Sequence, residues 1–156
     1  MKKRNLGILL ACFAIVVIVA TIGSIFTSKN VDSSWYESIK PSITPPNYVF
    51  PVAWTILFFL IALSLYYSWI NAKKKQKNKI AIVFGINFIF NISWSILYFG
   101  LKNPAASFFE LIVLWLSITA MMHTTYKIDK KAAYLLIPYL LWVTFAGVLN
   151  YLSAFT

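Results

Sequence analysis

Five long stretches of this sequence, 6–26, 51–70, 80–99, 105–126 and 132–152, are almost free of charge: within them only Glu110 and His123 have side chains that titrate near or below neutral pH. A helix rises about 1.5 Å per residue, so about 20 apolar residues cross the roughly 30 Å of bilayer hydrocarbon. No water is available there to backbone N–H and C=O groups, which must pair within the segment. The expected fold is therefore an all-α integral membrane protein, a bundle of five transmembrane helices forming one domain over residues 1–156. Composition agrees, because 60% of residues are hydrophobic and only 12% charged, against roughly 25% charged in an ordinary soluble domain.

Fourteen basic residues face four acidic ones, Asp32, Glu37, Glu110 and Asp129, for a net charge of +10. In a soluble chain this balance would raise nucleic-acid binding. Here the cations lie between apolar runs, so membrane lipids with anionic headgroups are the expected partner and nucleic acid is not. Taking the connections alternately, one side of the membrane receives eleven cations, at Lys2, Lys3, Arg4, Lys73, Lys74, Lys75, Lys77, Lys79, Lys127, Lys130 and Lys131. The other receives three, Lys29, Lys40 and Lys102. Basic residues in short loops stay on the cytoplasmic side. The expectation is a multi-pass protein of the cell membrane with its amino terminus cytoplasmic and its carboxyl terminus outside.

Basic residues ahead of an apolar run also open a secretory signal peptide. The first run is too long for that and no small-residue cleavage site closes it cleanly. Leu9-Leu10-Ala11-Cys12 resembles a lipoprotein processing box, but the apolar stretch before Cys12 is very short and a long one follows. As the single cysteine, Cys12 excludes a disulfide framework and a thiolate metal cluster, and reads as a small buried hydrophobe.

The connection over residues 27–50 is far longer than the usual few residues, which marks a lid or binding loop. Its aromatic residues and its prolines, Pro41, Pro45 and Pro46, argue against a flexible tether, since proline lowers the entropy lost on ordering. Asn103-Pro104 places a capping side chain before a proline, a helix start, and Gly100 ends the preceding helix. No internal repeat is evident, and five spans do not fit a simple inverted-repeat transporter.

Intramembrane polar side chains are where function is expected. Asn87, Asn91, Trp94, Ser95 and Tyr98 recur at spacings of three and four, on one helical face. Two uses are open to them: hydrogen bonds between helices, or contact with a ligand. The last run carries Tyr139, Trp142, Ala146 and Leu149 in the same manner, with Asn150 beside them. Trp54 and Trp35 belong to the same outer half of the membrane. Each ring taken singly reads as an interfacial anchor; together with the amides they describe a pocket for a flat, mostly apolar ligand. Glu110 reads either as a neutral or snorkelling group facing its bundle or a partner subunit, or as part of a proton or cation path. His123 reads as an interfacial residue or an axial haem ligand. The sequence has no Ser-His-Asp set, metal-ligand cluster, glycine-rich phosphate loop or paired intramembrane carboxylates, so hydrolysis and phosphoryl transfer of familiar kinds are not expected.

Several motifs carry a family resemblance: Trp35-Tyr36 with Lys40-Pro41-Ser42 and Pro45-Pro46, then Pro51-Val52-Ala53-Trp54-Thr55, then Asn91 with Trp94, and last Pro138-Tyr139-Leu140-Leu141-Trp142 continuing through Phe145-Ala146 to Leu149-Asn150. Together, from Trp35 to Tyr151, they resemble the translocator protein family, also called the tryptophan-rich sensory protein or peripheral-type benzodiazepine receptor family. The resemblance implies a five-helix homodimer with a ligand cavity under the long loop, taking porphyrins such as protoporphyrin IX and haem, and isoquinoline carboxamide or benzodiazepine compounds. Carried over by position, the pocket would use Trp54, Asn91, Trp94, Trp142, Phe145, Ala146 and Leu149, with Tyr36, Pro45 and Pro46 in the lid. Asn87 and Ser95 join them from the polar face. No cofactor is required; the porphyrin is ligand or, by light-dependent degradation as in some bacterial members, substrate, with Trp54 or Trp142 as the catalytic indole. Transport of tetrapyrroles or other small hydrophobic molecules is the alternative. The chain departs from the family in lacking a Lys or Arg after Tyr151, which leaves the proposed cholesterol motif incomplete, and in having Phe58 for a frequent Tyr and Glu110 for a frequent Asp.

Overall fold

The computed structural model describes residues 3–156, so Met1 and Lys2 lie outside the described residues, as do the side chains of Lys3 and Arg4 in the amino-terminal basic cluster. Five segments are long and apolar enough to cross a membrane. The first crossing is α1 (Lys3–Asn30), followed by the short α2 (Ser34–Ile39) in the long connection, then α3 (Val49–Asn71) and α4 (Lys74–Ser95). A π-helical turn (Ile96–Gly100) extends α4, and α5 (Pro104–Tyr126), α6 (Lys130–Tyr134) and α7 (Ile137–Phe155) complete the chain. The fold is the five-helix membrane bundle that the apolar runs imply.

Local chemistry explains where the helices differ from those runs. The last crossing is broken between Tyr134 and Ile137, because Pro138 has no N–H to donate and its ring clashes with the preceding turn of an uninterrupted helix. Asp129 starts α6: its Oδ1 accepts from the N–H groups of Lys131 (2.8 Å) and Ala132 (3.4 Å), and its Oδ2 from Asn71 Nδ2 (2.6 Å), which ties the ends of two crossings together. Asn103 caps α5 as its sequence suggests, Oδ1 accepting from Ala106 N–H at 3.0 Å ahead of Pro104. At the end of α4, the turn opens into π geometry, with Asn103 N–H reaching back to Leu97 O at 3.0 Å. Gly100 sits here because a Cβ would meet Phe26 Cδ1 of α1 at 3.0 Å.

Around the bundle, α3 packs on α1, α1 on α4, α4 on α5 and α5 on α7, while α6 and α7 close the ring against α3. Apolar side chains point both ways. Ile61, Ile118, Met121, Leu136 and Tyr139 are buried at the centre of the half nearest α6, whereas Leu10, Ile18, Ile89, Phe109 and Leu141 are about 60% exposed on the rim that faces lipid. Exposed leucines and isoleucines in this number have no place on a water-facing surface but cost nothing against acyl chains. Removing the α6 cap by Asp129→Ala should destabilise the protein by about 1 kcal/mol, read as a lowered unfolding temperature in detergent.

Candidate functional site: a cavity under the long loop

At the opposite end from α6 the helices do not close on one another. They leave a cavity of about 620 Å³ bounded by α1, α3, α4, α5, α7 and the 31–48 connection. Of the side chains expected at a pocket, Tyr36, Trp54, Asn91, Trp94, Ser95, Trp142, Ala146 and Leu149 line it. Its walls also include Tyr98, Asn150, Phe50, Phe58, Leu111 and Leu114.

Four expected residues lie elsewhere. Asn87 is one turn deeper than Asn91 and fully buried, its Nδ2 donating to Ser117 Oγ (2.8 Å) and its Oδ1 accepting from Tyr139 OH (3.3 Å). Hydrocarbon surroundings make an unpaired amide costly, so this one is consumed in holding α4, α5 and α7 together. Phe145 is on the far side of α7, in a shallow apolar groove formed with Ala53, Ile56, Leu57, Pro138 and Leu141; Trp142 borders both groove and cavity. Pro45 and Pro46 are not on the cavity lining. They shape the connection, Pro46 O accepting from Val49 N–H at 2.9 Å as α3 begins.

The polar face of α4 makes hydrogen bonds to neighbouring helices and also borders the cavity. Asn91 Nδ2 donates to Tyr139 OH (3.0 Å), which passes the chain of hydrogen bonds on to Asn87, Ser117 and Leu114 O. Trp94 Nε1 donates to Asn150 Oδ1 at 3.0 Å. The same oxygen accepts from Ser107 Oγ (3.1 Å), while Asn150 Nδ2 donates to Pro104 O (2.8 Å), so one α7 amide joins α4 and α5. Tyr98 OH donates to Ser153 Oγ at 2.9 Å. These side chains spend donors on neighbouring helices and turn their remaining surface to the cavity.

Aromatic contacts fasten the loop. Ser33 Oγ accepts from Tyr36 N–H at 3.2 Å and starts α2. The buried Tyr36 ring then sits 5.5 Å from Phe99 and 6.3 Å from Tyr98 at tilted and edge-on angles, and Trp35 packs 5.9 Å from Tyr98. Tyr98 is itself stacked on Trp94, with centroids 5.1 Å apart and planes at 22°. Burial, with smaller contributions from Tyr98 and Glu37, pushes the Tyr36 phenol above its ordinary range, so it remains a neutral donor at the cavity edge.

Reading the sequence missed the α1 wall, made of Ala20, Thr21, Gly23, Ser24, Thr27 and Ser28, and the rim residues Asp32 and Asn47. A signal was present: small and hydroxyl residues at spacings of three and four on one face of an otherwise branched apolar helix. Glu110 and His123 do not line the cavity. Both Glu110 carboxyl oxygens are buried without a hydrogen-bond partner. His123 is exposed in the last turn of α5, about 13 Å along the axis from Leu114, so the cavity offers no histidine to a haem iron. Among the described residues no group of His, Cys, Asp and Glu could hold a metal ion.

The fold and the site define a class of membrane protein: five spanning helices with a largely apolar, indole-lined cavity beneath one long loop. Within that class the chain belongs to the TspO/MBR family, whose model matches residues 11–154. It is 36% identical to the tryptophan-rich protein TspO of Chlorobaculum tepidum over 97% of this chain and 96% of that one, and 39% identical to the protein of the same name from Archaeoglobus fulgidus over 94% and 95%. The translocator protein of Sus scrofa is 26% identical over 86% of this chain and 83% of its own length.

Replacing Trp94 with Phe deletes one donor to Asn150 and should cost about 0.6 kcal/mol. Asn150→Ala strands Trp94 Nε1 and also removes one of the two side-chain donors to Pro104 O, the other being Ser107 Oγ at 2.9 Å, and should cost more. Paired thermal unfolding curves in one detergent give that order.

Proposed function

We propose that this protein is a membrane receptor or sensor whose cavity binds flat, mostly apolar molecules: porphyrins such as protoporphyrin IX and haem, and benzodiazepine-type or isoquinoline carboxamide compounds. The observation that carries the reading is the convergence of Trp54, Trp94 and Trp142 with Asn91 on one cavity of about 620 Å³, within the size range of small-molecule sites. Indole faces supply stacking surface and the few fixed polar groups supply orientation. In this reading the homodimer, the cell-membrane location and the cytoplasmic amino terminus accompany the receptor role; eleven cations against three on the two sets of connections support the orientation.

Binding of protoporphyrin IX in the micromolar range, about 8 kcal/mol, is expected, and Trp142→Ala should weaken it about tenfold or more. Quenching of porphyrin emission on titration with protein measures both. Equal curves for the two proteins would remove this cavity as the site.

A photochemical role is favoured by one further feature: Trp54 and Trp142 both border the cavity, and each touches further rings. Trp54 lies 5.3 Å from Phe58 and 6.1 Å from Tyr139, and Trp142 6.0 Å from Phe50. A bound pigment excited by light would withdraw an electron from an adjacent indole, with oxygen as the terminal oxidant. On illumination in air, porphyrin absorbance should decay faster with wild type than with Trp142→Phe, and mass spectra should show an oxygenated product. Equal rates and products would leave receptor function alone. Transport is the weaker alternative, since Glu110, the residue a proton-coupled path would use, is not on the cavity lining.

A further inference from the structure

We infer that the rim of the cavity selects ligands by charge: Asp32 receives a polar end that donates hydrogen bonds or is cationic, and disfavours one that ends in carboxylates. The inference rests on the ligand-cavity reading above and concerns which members of that class fit.

Among the described residues, Asp32 is the only charged one on the cavity lining, and no Lys or Arg is on it. Asn47, also on the lining, gives its Nδ2 to Asp32 Oδ1 at 2.9 Å and to Val31 O at 3.4 Å, and two acceptors on one side fix the orientation of the amide. Its Oδ1 is buried, which leaves the Asp32 carboxylate as the charged acceptor of the rim. On the α1 wall the hydroxyls of Thr21, Ser24 and Thr27 add acceptors rather than donors, because they already donate to the carbonyls of Val17, Thr21 and Gly23 at 2.8, 2.8 and 3.3 Å.

Two cations of this end of the bundle are engaged with side chains of the loop. Lys40 pairs with Glu37 at 2.7 Å and lies over the Tyr36 ring, and Lys102 lies 5.7 Å over the Trp35 ring. Lys29 is not on the lining. A dicarboxylate ligand would therefore bring like charge to Asp32 without a compensating cation, and its carboxylates would have to remain in water beyond the rim. One like-charge contact near water is worth about fivefold in affinity.

The test uses three forms of one ring system, protoporphyrin IX, its dimethyl ester and its bis(2-aminoethyl) amide, titrated into full-length protein in detergent and followed by Soret absorbance. Wild type should bind the diamine most tightly and the diacid least, about fivefold or more on each side of the ester. Asp32→Asn should tighten the diacid and loosen the diamine by about fivefold and leave the ester unchanged. Asp32 is exposed, and asparagine keeps an oxygen for Asn47 Nδ2, so the variant tests charge rather than folding. Equal wild-type affinities for diacid and diamine, or a parallel shift of all three in the variant, would overturn the inference and leave the cavity reading intact. Failure of all three to bind would overturn both.

Discussion

Everything in this bundle depends on the requirement that polar groups within hydrocarbon find partners inside the protein. Backbone groups meet it by forming helices; side chains meet it by bonding across them. The Asn150 amide is the clearest case, accepting from Trp94 and Ser107 and donating to Pro104 O. Ser64 does similar duty at the other end, donating to Ala132 O at 2.8 Å where α3 meets α6. Apolar packing alone distinguishes poorly between helix neighbours and lipid tails, so these directional bonds set which helices adjoin and at what height.

That arrangement divides the interior in two. Toward α6, buried Ile61, Ile118, Met121 and Leu136 fill the space between helices. Toward the long loop the helices carry bulky indoles, phenols and amides alternating with small residues such as Gly23 and Ala146, and they enclose volume instead of filling it. The bond chain from Asn91 through Tyr139 to Ser117 forms the floor between the halves. The cavity is therefore bounded by the loop at one end and closed by the polar network at the other.

Much of this was legible in the sequence, because a charge-free run of twenty residues leaves few alternatives to a spanning helix. The polar face of α4 was legible too, though not how it divides its work: Asn87 and Asn91 differ by one turn and by nothing else in the sequence, yet one bonds only to protein and the other also faces the cavity. Phe145 and Ala146 are adjacent, and a rotation of about 100° separates groove from cavity. The break before Pro138 and the π turn after Ser95 came from geometry that an apolar pattern hides, since hydrophobicity is uniform through both. The α1 wall was missed for a different reason: its serines and threonines bond their own helix backbone, which makes them look like tolerated polar residues.

The placement of the indoles has a consequence for how the protein can be watched. Trp54, Trp94 and Trp142 border the cavity, while Trp35 packs in the loop against Tyr98, Trp69 lies under Lys77 and Trp115 bonds Thr144. Half of the six tryptophans thus stand where their emission senses the cavity, and half where it senses the scaffold. Single Trp→Phe replacements turn the chain into its own set of spectroscopic probes, separating changes at the cavity from changes in the scaffold without any attached dye.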